Sequence, residues 1–535
     1  MGAIPLQWAW ASLPSAAVSS ITLFILLVSY GFLLAVYRLT IHPLARFPGP
    51  KLSAATGWYE CYLDIFRGPG KTFAFEIERM HERYGPIVRI NPHEIHVSDP
   101  DFFDTLYAGG SAVRGKYAPA AHVQGTPEGI FGTVDHNAHR RRRQAISSYF
   151  SKQSVLQDQK IVDDKIELLC DFFRQKLKEG KEVNIRVPLL AVGTDVFCAH
   201  TLGERGSMDL LRDWDRAVEW RQSIIALLHW TPVVRQFPWV IPFAIDLPVG
   251  LINVASKEMG LVVSIFRVQA RSLSFHNSLR VQAAAAIAEH DQLQGEHKAR
   301  ANVFHTILSS NLTTQDKDVK RMAQEGFGIL SASGDTIARS MTMAMYYLHA
   351  DPHSLERLKD ELKIVLPDPQ GQIDLATLER LPWLTAVLKE SLRIAALITT
   401  RAPLTAPTEW LRYGDWAIPP NTPISMTLSS LMMNPETFPS PDAFQPERWL
   451  ESNPDYKKNM SYFVAFHKGH RNCIGINLAW CQMYFALAKM IRRFDFELYG
   501  VVKERDIDYH RDCFLGEPRD DTMGVRMRVI SEDRG

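Results

Sequence analysis

The stretch FHKGHRNCIG, residues 466–475, decides the fold prediction because it places a single thiol in an unusual setting. Cys473 lies among two glycines, two histidines, a lysine and an arginine, behind Phe466. A core cysteine has apolar neighbours and a disulfide needs a partner, whereas basic surroundings lower the pKa of a thiol. The sequence therefore predicts a thiolate at position 473.

The residues after Cys473, IGINLAWCQMYFALAKMIRRF, have helical apolar periodicity and predict that the cysteine lies just before a helix. Free backbone N–H groups at a helix start stabilise a sulfur anion. Gly469 and Gly475 let a flat molecule approach the backbone closely, and Arg471 can meet an acidic group of that molecule. Together these features favour an axial thiolate on haem iron, the ligation that promotes O–O cleavage.

Composition sets broad limits on the class of protein. The chain has 535 residues, 46% of them hydrophobic, which is enough for one large packed domain or two smaller ones. Its 60 basic residues balance 59 acidic ones, so no overall charge favours nucleic acid as a partner. The six cysteines form no CxxC pair, which is typical of a protein in a reducing compartment.

The N-terminal region predicts a membrane anchor. No charged side chain precedes Arg38, and residues 15–38 form an apolar run about as long as a membrane-spanning helix. Basic residues follow the run, which predicts a lumenal segment at 1–14 and a cytosolic catalytic body. Residues 39–51 contain three prolines and predict a hinge, and the remaining chain, 52–535, is the predicted body.

The body is predicted to be mainly α with small β-sheets. From about residue 136 to 400 the chain shows amphipathic helical patterns, and residues 84–107 read as a hairpin followed by a helix. A second β-like stretch covers residues 409–428. The apolar, proline-broken segment 230–247 is either a buried connection or a loop that dips into the membrane.

Three other site patterns are present but incomplete. Residues 110–116 have the spacing of a phosphate-binding loop, yet Tyr117 stands where a magnesium-binding hydroxyl is needed and no apolar strand leads in. Residues 326–331 begin like a dinucleotide fingerprint but lie within a helical run. His467, His470 and Cys473 lack a fourth partner for zinc.

The stretch ILSASGDTIARS predicts a bent helix with an acid and a hydroxyl at the bend. Gly326, Gly328 and Gly334 each cost about 1 kcal/mol in a helix relative to alanine, which a flat macrocycle pressed on the helix would offset. The Thr336 hydroxyl can bond to a carbonyl one turn earlier and bend the helix. Asp335 and Thr336 then form a pair that can relay protons to dioxygen.

These motifs resemble those of the cytochrome P-450 haem-thiolate monooxygenases. The cysteine signature F-x-x-G-x-R-x-C-x-G is matched at all five fixed positions: Phe466, Gly469, Arg471, Cys473 and Gly475. The oxygen-activation motif A-G-x-D-T-T is matched by Ala332, Asp335 and Thr336. It departs from the family at Ser333, which narrows the groove, and at Ile337, and neither departure removes the proton relay.

The resemblance implies roles for further residues. Glu390 and Arg393, three apart on one helix face, match the family's E-x-x-R pair, which with Arg448 braces the cysteine loop; from the residues alone they could be a surface ion pair. His139 and Arg143, one helical turn apart, take the places of the tryptophan and arginine that hold a haem propionate. Arg401 is a further propionate candidate.

The resemblance also implies the fold and the partners. The fold would place haem b between a long central helix and the cysteine loop. Electrons would come from NADPH through a separate NADPH-haemoprotein reductase, whose acidic surface would face the remaining arginines of HNAHRRRR.

The most similar patterns are those of fungal microsomal trichodiene-oxygenase-like members. The predicted function is oxidation by O2 of a lipophilic, terpenoid or polyketide-derived intermediate of secondary metabolism at the endoplasmic reticulum membrane. One alternative is an enzyme of this fold that isomerises or dehydrates its substrate without O2; another is a non-catalytic haem-binding membrane protein. The sequons at Asn311 and Asn459 would be used only if the topology were inverted.

Overall fold

Helices make up most of the structure, a computed structural model that describes residues 15–67, 70–123, 125–203, 206–239, 277–290 and 302–535. This confirms the prediction of a mainly helical protein. The α-helices are Ser15–Thr40, Lys51–Ala55, Trp58–Cys61, Phe73–Tyr84, Phe103–Leu106, His136–Ser147, Lys152–Gln157, Gln159–Glu179, Arg186–Thr201, Trp214–His229, Thr231–Gln236, 277–290, Val303–Leu308, Val319–Ser333, Asp335–Ala350, Pro352–Val365, Leu375–Glu379, Pro382–Ile394, Leu428–Met432, Tyr456–Ser461, Ile476–Arg493 and Lys503–Asp506.

The strands are short and form small sheets. They are β1 Ile87–Arg89, β2 Ile95–Val97, β3 Gly115–Lys116, β4 Val183–Asn184, β5 Leu404–Thr405, β6 Leu411–Tyr413, β7 Trp416–Ile418, β8 Ile424–Ser425, β9 Phe494–Leu498, β10 Arg511–Cys513, β11 Leu515–Glu517 and β12 Arg526–Glu532. The largest sheet has the order β1-β2-β8-β5-β3, and a second joins β4, β12 and β9. The predicted hairpin is β1 with β2, antiparallel with Ile87 opposite Val97.

The N-terminal helix Ser15–Thr40 begins at the predicted residue and ends two residues beyond the predicted anchor. Its span Ser19–Thr40 has a mean hydropathy of 2.2 and is long enough to cross a membrane. Leu33 is 65% exposed and Phe32 68%, as expected for a helix whose apolar surface meets lipid instead of protein. The chain's division into anchor, hinge and body stays a prediction.

The main core is built around the helix Arg186–Thr201, which is buried along almost its whole length. A helix that is apolar on every side is stable only in the middle of other helices. It packs against Gln159–Glu179 on one side and Asp335–Ala350 on the other. A second, smaller core lies under the five-stranded sheet.

The long central helix is interrupted where the sequence predicted a bend. Val319–Ser333 and Asp335–Ala350 meet at Gly334, and Thr336 Oγ1 donates to the Ala332 carbonyl at 2.8 Å. We call these two helices the central helix pair. The break lets the backbone at Gly334 lie close to Leu190 and Thr194 of the buried helix.

The prediction that the glycines of the central helix pair face a flat macrocycle is wrong at two positions. A Cβ at Gly334 would meet Thr194, and one at Gly326 would meet the Phe304 ring at 3.0 Å. Both glycines therefore allow close packing of protein against protein, which offsets their low helix propensity. Gly328 faces Thr126, with its Oγ1 at 3.4 Å from a Cβ built there.

Candidate active site

The cysteine loop, residues 466–475, is a tight turn that presents Cys473. The Cys473 backbone N–H donates to the Phe466 carbonyl at 2.9 Å and closes the turn. Gly469 has φ +69°, and a Cβ there would collide with the carbonyl oxygens of Tyr107 and Ala108. Only glycine fits this position. The next helix begins at Ile476, directly after Gly475, as predicted.

The environment of the thiol differs from the prediction. Burial raises the pKa of Cys473, while a hydrogen bond from the Gly475 backbone N–H and the charge of Arg143 oppose the rise. The basic residues nearby therefore do not suffice to lower the pKa. Cys473 is nevertheless exposed, so a ligand can reach it. A metal bound there would deprotonate the thiol outright.

The helix His136–Ser147 holds its two predicted site residues next to the cysteine loop. Asp135 caps the helix by accepting from the Ala138 N–H at 2.7 Å. Arg143 donates to the Asn472 carbonyl at 2.7 Å and to its Oδ1 at 2.6 Å. His139 is buried one turn earlier, and its pKa falls to about 2 because of burial and the charges of Arg471 and Arg143.

A cluster of cations lies beside the cysteine loop and His139. Arg471 donates to the Thr133 carbonyl at 2.8 Å, and its Nε is buried without a hydrogen-bond partner. The pKa of Lys116 is lowered well below its usual value by burial and by Arg471, and its amine donates to the Phe131 carbonyl at 2.7 Å. Within the described residues no carboxylate forms an ion pair with Lys116, Arg143 or Arg471.

Lys116 is the member of this cluster that sequence reasoning missed. It belongs to the stretch 110–116 that was rejected as a phosphate-binding loop. The structure places it in the short strand β3, paired with β5, and only a short 3-10 helix, Ala118–His122, follows it instead of the α-helix of a phosphate-binding loop. A lysine in a glycine-rich stretch was the available signal, but only the tertiary contacts bring it to Arg471.

Arg401 is removed from the propionate candidates. It is buried, with Nε donating to Glu94 at 2.7 Å and Nη2 donating to Glu60 at 2.9 Å. A buried guanidinium between two carboxylates is already neutralised and has no charge left for a third acid. The resemblance alone did not reveal these partners, because both lie more than 300 residues earlier in the chain.

Glu390, Arg393 and Arg448 come together in a buried cluster. Arg393 donates twice to Glu390, at 2.8 Å each, and Arg448 Nε donates to it at 3.3 Å. Trp449 Nε1 also donates to Glu390, at 2.9 Å, and its ring packs on Phe463 three residues before the cysteine loop. Their burial excludes the surface-pair interpretation.

Asp335 is buried and paired, which the sequence did not predict. Arg186 donates to it from Nε at 2.9 Å and from Nη2 at 2.6 Å, and also contacts Glu517. Burial acts to raise the pKa of Glu517, but Arg186 and Arg339 lower it to about 2. Thr336, by contrast, is only half-buried, and Ala332 one turn earlier is exposed on the same helix face.

The two loop histidines considered as zinc ligands, and the sequon residue Asn459, make contacts within the protein. The His467 ring lies 4.1 Å from that of Tyr107, and His470 packs on His136 at 4.8 Å. No group of three metal-binding side chains occurs in the described part of the chain. The sequon residue Asn459 is buried and donates to the Arg448 carbonyl at 3.0 Å, so it has a structural contact in the folded protein.

These residues fit a haem. The exposed thiol suits an axial ligand, and a Cβ at Gly475 would meet no protein atom within 4 Å, which leaves room beside the cysteine. The cations, which have no carboxylate partner in the described part of the chain, suit two propionates, and Arg471 Nε supplies an unused donor.

Comparison with known proteins gives the same assignment. The family model for cytochrome P-450 matches residues 58–522. The chain is 37% identical to a cytochrome P-450 monooxygenase of Ascocoryne sarcoides over 92% of this chain and 95% of the relative. It is 33% identical to a conidiogenone synthase of Penicillium rubens, over 94% and 99%, and 35% identical to a tryptophan 6-hydroxylase of Fusarium equiseti, over 93% and 94%.

The chain therefore belongs to the cytochrome P-450 family. It is a haem-thiolate monooxygenase, and its relatives are fungal enzymes of secondary metabolism. The alternatives without O2 chemistry or without catalysis are not favoured.

Proposed function

We propose that this monooxygenase takes electrons from NADPH through a separate reductase and oxidises a lipophilic, terpenoid or polyketide-derived intermediate at the endoplasmic reticulum. The observation that carries the proposal is the exposed Cys473 beside a cluster of cations that form no ion pair with a carboxylate among the residues described. Because two relatives are named as hydroxylases of tryptophan and N-acetyltryptophan, indole derivatives are a further substrate class to test.

Haem b would be held by one ligand and a set of acid-binding side chains. Cys473 is the proposed axial ligand, with Phe466, Gly469 and Gly475 shaping the loop around it. The proposed propionate partners are Arg143, Arg471, His139 and Lys116, the last added on the strength of its position. When bound, haem with a thiolate ligand supplies the cleavage of the O–O bond. Ala332 is exposed on the central helix pair, where its small side chain would leave space for the haem.

Asp335 and Thr336 are proposed to manage protons. The Thr336 hydroxyl can pass on a proton because its oxygen accepts while its hydrogen turns away from the Ala332 carbonyl. Arg186 donates two hydrogen bonds to the Asp335 carboxylate, which can accept a proton when one of them opens. Asp335 then returns a proton to the hydroxyl of Thr336, the next residue in the chain.

The exposed surface supports a single-pass anchor with the body on the cytosolic face of the membrane. Trp58, Tyr62 and Phe66, spaced four apart, are 66%, 55% and 67% exposed, and Trp239 is 65% exposed. Exposed aromatic residues near an apolar anchor suit the membrane interface. Of the apolar segment 230–247, residues 240–247 lie outside the described residues. Arg140 and Arg141 are exposed and remain candidates for contact with an acidic reductase.

The experiment that tests the proposal is the CO difference spectrum of the reduced protein. Wild type should show a strongly red-shifted Soret band, which Cys473→Ala should lose. Cys481→Ala changes a buried cysteine eight residues further on and should keep the band. An imidazole-like CO spectrum that is the same in wild type and Cys473→Ala would contradict the assignment of the ligand.

A further inference from the structure

Basic side chains from two parts of the chain meet where the N-terminal helix joins the body. Arg38 lies in the last turn of the helix Ser15–Thr40, and its Nη2 donates to His93 Nε2 at 3.4 Å. His93 lies in the turn between β1 and β2, and its ring centroid is 6.1 Å from that of His42. We call Arg38, His42, Arg89 and His93 the junction cluster.

Arg89 ties the end of the N-terminal helix to the body. It is the last residue of β1 and is only 1% exposed. Its Nη1 donates to the Arg38 backbone carbonyl at 2.8 Å, and its Nη2 donates to the Pro92 carbonyl at 2.7 Å. A cation at this place satisfies a carbonyl that the helix leaves without a partner at its C-terminus. Hydrogen bonds therefore fix the junction cluster at the end of the helix.

No carboxylate neutralises the junction cluster. Arg38 and Arg89 donate to backbone carbonyls, and within the described ranges no acid forms an ion pair with either arginine or with His42 or His93. The Nε atoms of both arginines are buried without a hydrogen-bond partner. Burial and the neighbouring cations lower the pKa of His42 to about 4. Because unpaired cations are unfavourable away from water, the cluster favours an anion from outside the chain.

An external anion can reach the donors of the junction cluster. His93 is exposed, Arg38 and His42 are half-buried, and the contact between Arg38 and His93 faces solvent. Arginine only donates, so His93 accepts through Nε2 and can donate through Nδ1. His42 Nδ1 accepts from the Leu44 N–H at 3.1 Å, which leaves its Nε2 as a donor. The cluster therefore offers one guanidinium and two imidazole donors on its open side.

The junction cluster lies at the level where the hydrocarbon of a membrane would end. The apolar span Ser19–Thr40 contains Arg38 two residues before its end, and the neighbouring Tyr37 and Ile41 are 43% and 75% exposed. Lipid headgroups begin at this level in a bilayer. Basic clusters directly after a spanning helix bind anionic headgroups.

The charges of the cluster favour one kind of headgroup. Arg38 and Arg89 supply two positive charges with no acid among their described partners. A phosphate monoester carries about two negative charges at pH 7 and three acceptor oxygens, whereas a phosphate diester carries one charge. The planar fork of an arginine also matches two oxygens of a phosphate.

We propose that the junction cluster binds a phosphate monoester, and that its source is a membrane lipid with a monoester headgroup such as phosphatidic acid. The phosphate would bridge Arg38 of the N-terminal helix and His93 of the body. It would thereby hold the body at a fixed angle to the membrane surface. The inference goes beyond the proposed function and rests on its membrane anchor.

The test titrates the haem-loaded full-length protein in detergent with soluble lipids of equal chain length. The probes are the dihexanoyl forms of phosphatidic acid, phosphatidylserine and phosphatidylcholine, and calorimetry gives the dissociation constants. Phosphatidic acid should bind at least about tenfold more tightly than either diester, because it alone carries the second phosphate charge.

Glycerol 3-phosphate distinguishes the two sources of the phosphate monoester, since it has the same phosphate without acyl chains. Weaker binding of glycerol 3-phosphate than of phosphatidic acid would identify a lipid as the source. Equal binding would support the monoester site and assign it to a soluble phosphate instead.

Variants separate this site from a general effect of charge. Arg38→Gln should weaken the binding of phosphatidic acid about tenfold, and His93→Gln, at an exposed position, about threefold. Arg38→Lys should recover part of the affinity, because lysine keeps the charge but not the fork. Arg46→Gln removes an equal charge at an exposed position of the predicted hinge and should bind as wild type.

Three results would overturn the inference: wild type binds phosphatidic acid no better than phosphatidylcholine, both cluster variants keep the wild-type affinity, or Arg46→Gln weakens binding as much as Arg38→Gln. The first needs no variant, so a folding defect does not affect it. Any of them together with a normal thiolate CO spectrum would reject the phosphate site and leave the proposed function standing. Loss of the thiolate spectrum in wild type would reject the proposed function instead.

Discussion

Asp335 accepts two hydrogen bonds from the guanidinium of Arg186, 149 residues earlier in the chain. The same guanidinium donates to Glu517 at 2.7 Å, so one cation joins the central helix pair to the hairpin of β10 and β11. The acid of the predicted oxygen-activation motif is therefore part of a buried ion network.

Asp335→Asn should lower product formation at least about tenfold, while more O2 is consumed without product. The amide cannot take up a proton, and loss of a charged hydrogen bond should cost about 1–3 kcal/mol of stability. NADPH consumption, product and peroxide are measured together.

The matched control is Glu517→Gln, which removes the other carboxylate of Arg186. It should cost similar stability but keep product formation within about twofold, since only Asp335 adjoins Thr336. Equal loss of product in the two variants would reduce Asp335 to a structural role.

Gly469→Ala should prevent formation of a stable cysteine loop. The residue has φ +69°, and the new methyl group would collide with two backbone carbonyls that cannot move independently. A strained backbone and overpacking each cost about 1–3 kcal/mol. The expected result is a lower thermal midpoint and little bound haem.

Gly475→Ala provides the comparison within the same loop. Its φ is −87°, and a Cβ would meet no protein atom within 4 Å. The variant should keep the wild-type thermal midpoint but bind haem more weakly, because the methyl group enters the space beside Cys473. Equal midpoints for the two variants would refute the collision at Gly469.

Glu390→Gln should destabilise the protein by about 3–5 kcal/mol, because it leaves two buried guanidiniums without a counter-charge. Arg393 and Arg448 both donate to this carboxylate, and Glu390 has no exposed surface. Thermal unfolding followed by circular dichroism and by Soret absorbance should show a lowered midpoint in both signals.

Lys160→Gln is the control for an ion pair on a helix. Lys160 and Asp164 form an exposed pair at 3.0 Å, worth about 0.5 kcal/mol or less. A comparable loss of stability in Glu390→Gln and Lys160→Gln would mean that burial does not determine how much the Glu390 cluster contributes to stability.

Asp64→Asn should change how stability depends on pH. Burial raises the pKa of Asp64 to about 6 although Arg235 donates to it at 2.6 Å. The unfolded chain loses this proton near pH 4 and the folded protein near pH 6, so the contribution of Asp64 to wild-type stability falls as pH rises between these values. The fall amounts to roughly 3 kcal/mol.

Asparagine stays neutral, so the variant does not lose stability through this group as pH rises. The thermal midpoint of Asp64→Asn should therefore rise relative to that of wild type from pH 4 to 6. Asp164→Asn, at an exposed helix position, should show no such trend. Parallel curves for Asp64→Asn and wild type would disprove the raised pKa.

Local patterns made much of this protein predictable. The spacing of Glu390 and Arg393 places them on one helix face, and Thr336 bonds to the carbonyl one turn earlier because that geometry is inherent in a helix. The uncharged run before Arg38 forms one long helix, which is also a local property of the sequence. Such features depend on residues within a few positions of each other.

The predictions that failed concern partners distant in the chain. Gly326 and Gly334 were expected to face a macrocycle but pack against protein, and basic neighbours were expected to lower the pKa of Cys473, whereas burial raises it. Burial cannot be read from neighbours in sequence, because it depends on every element that folds over the group.

The sequence by itself thus determined the family, the cysteine loop and the apolar N-terminal helix, because each is encoded by residue types at short, fixed spacing. Tertiary structure alone decided which charges meet. Arg401 binds Glu60 and Glu94, and Arg186 binds Asp335. These pairings follow from how distant helices and strands pack, so the periodicity of the sequence does not predict them.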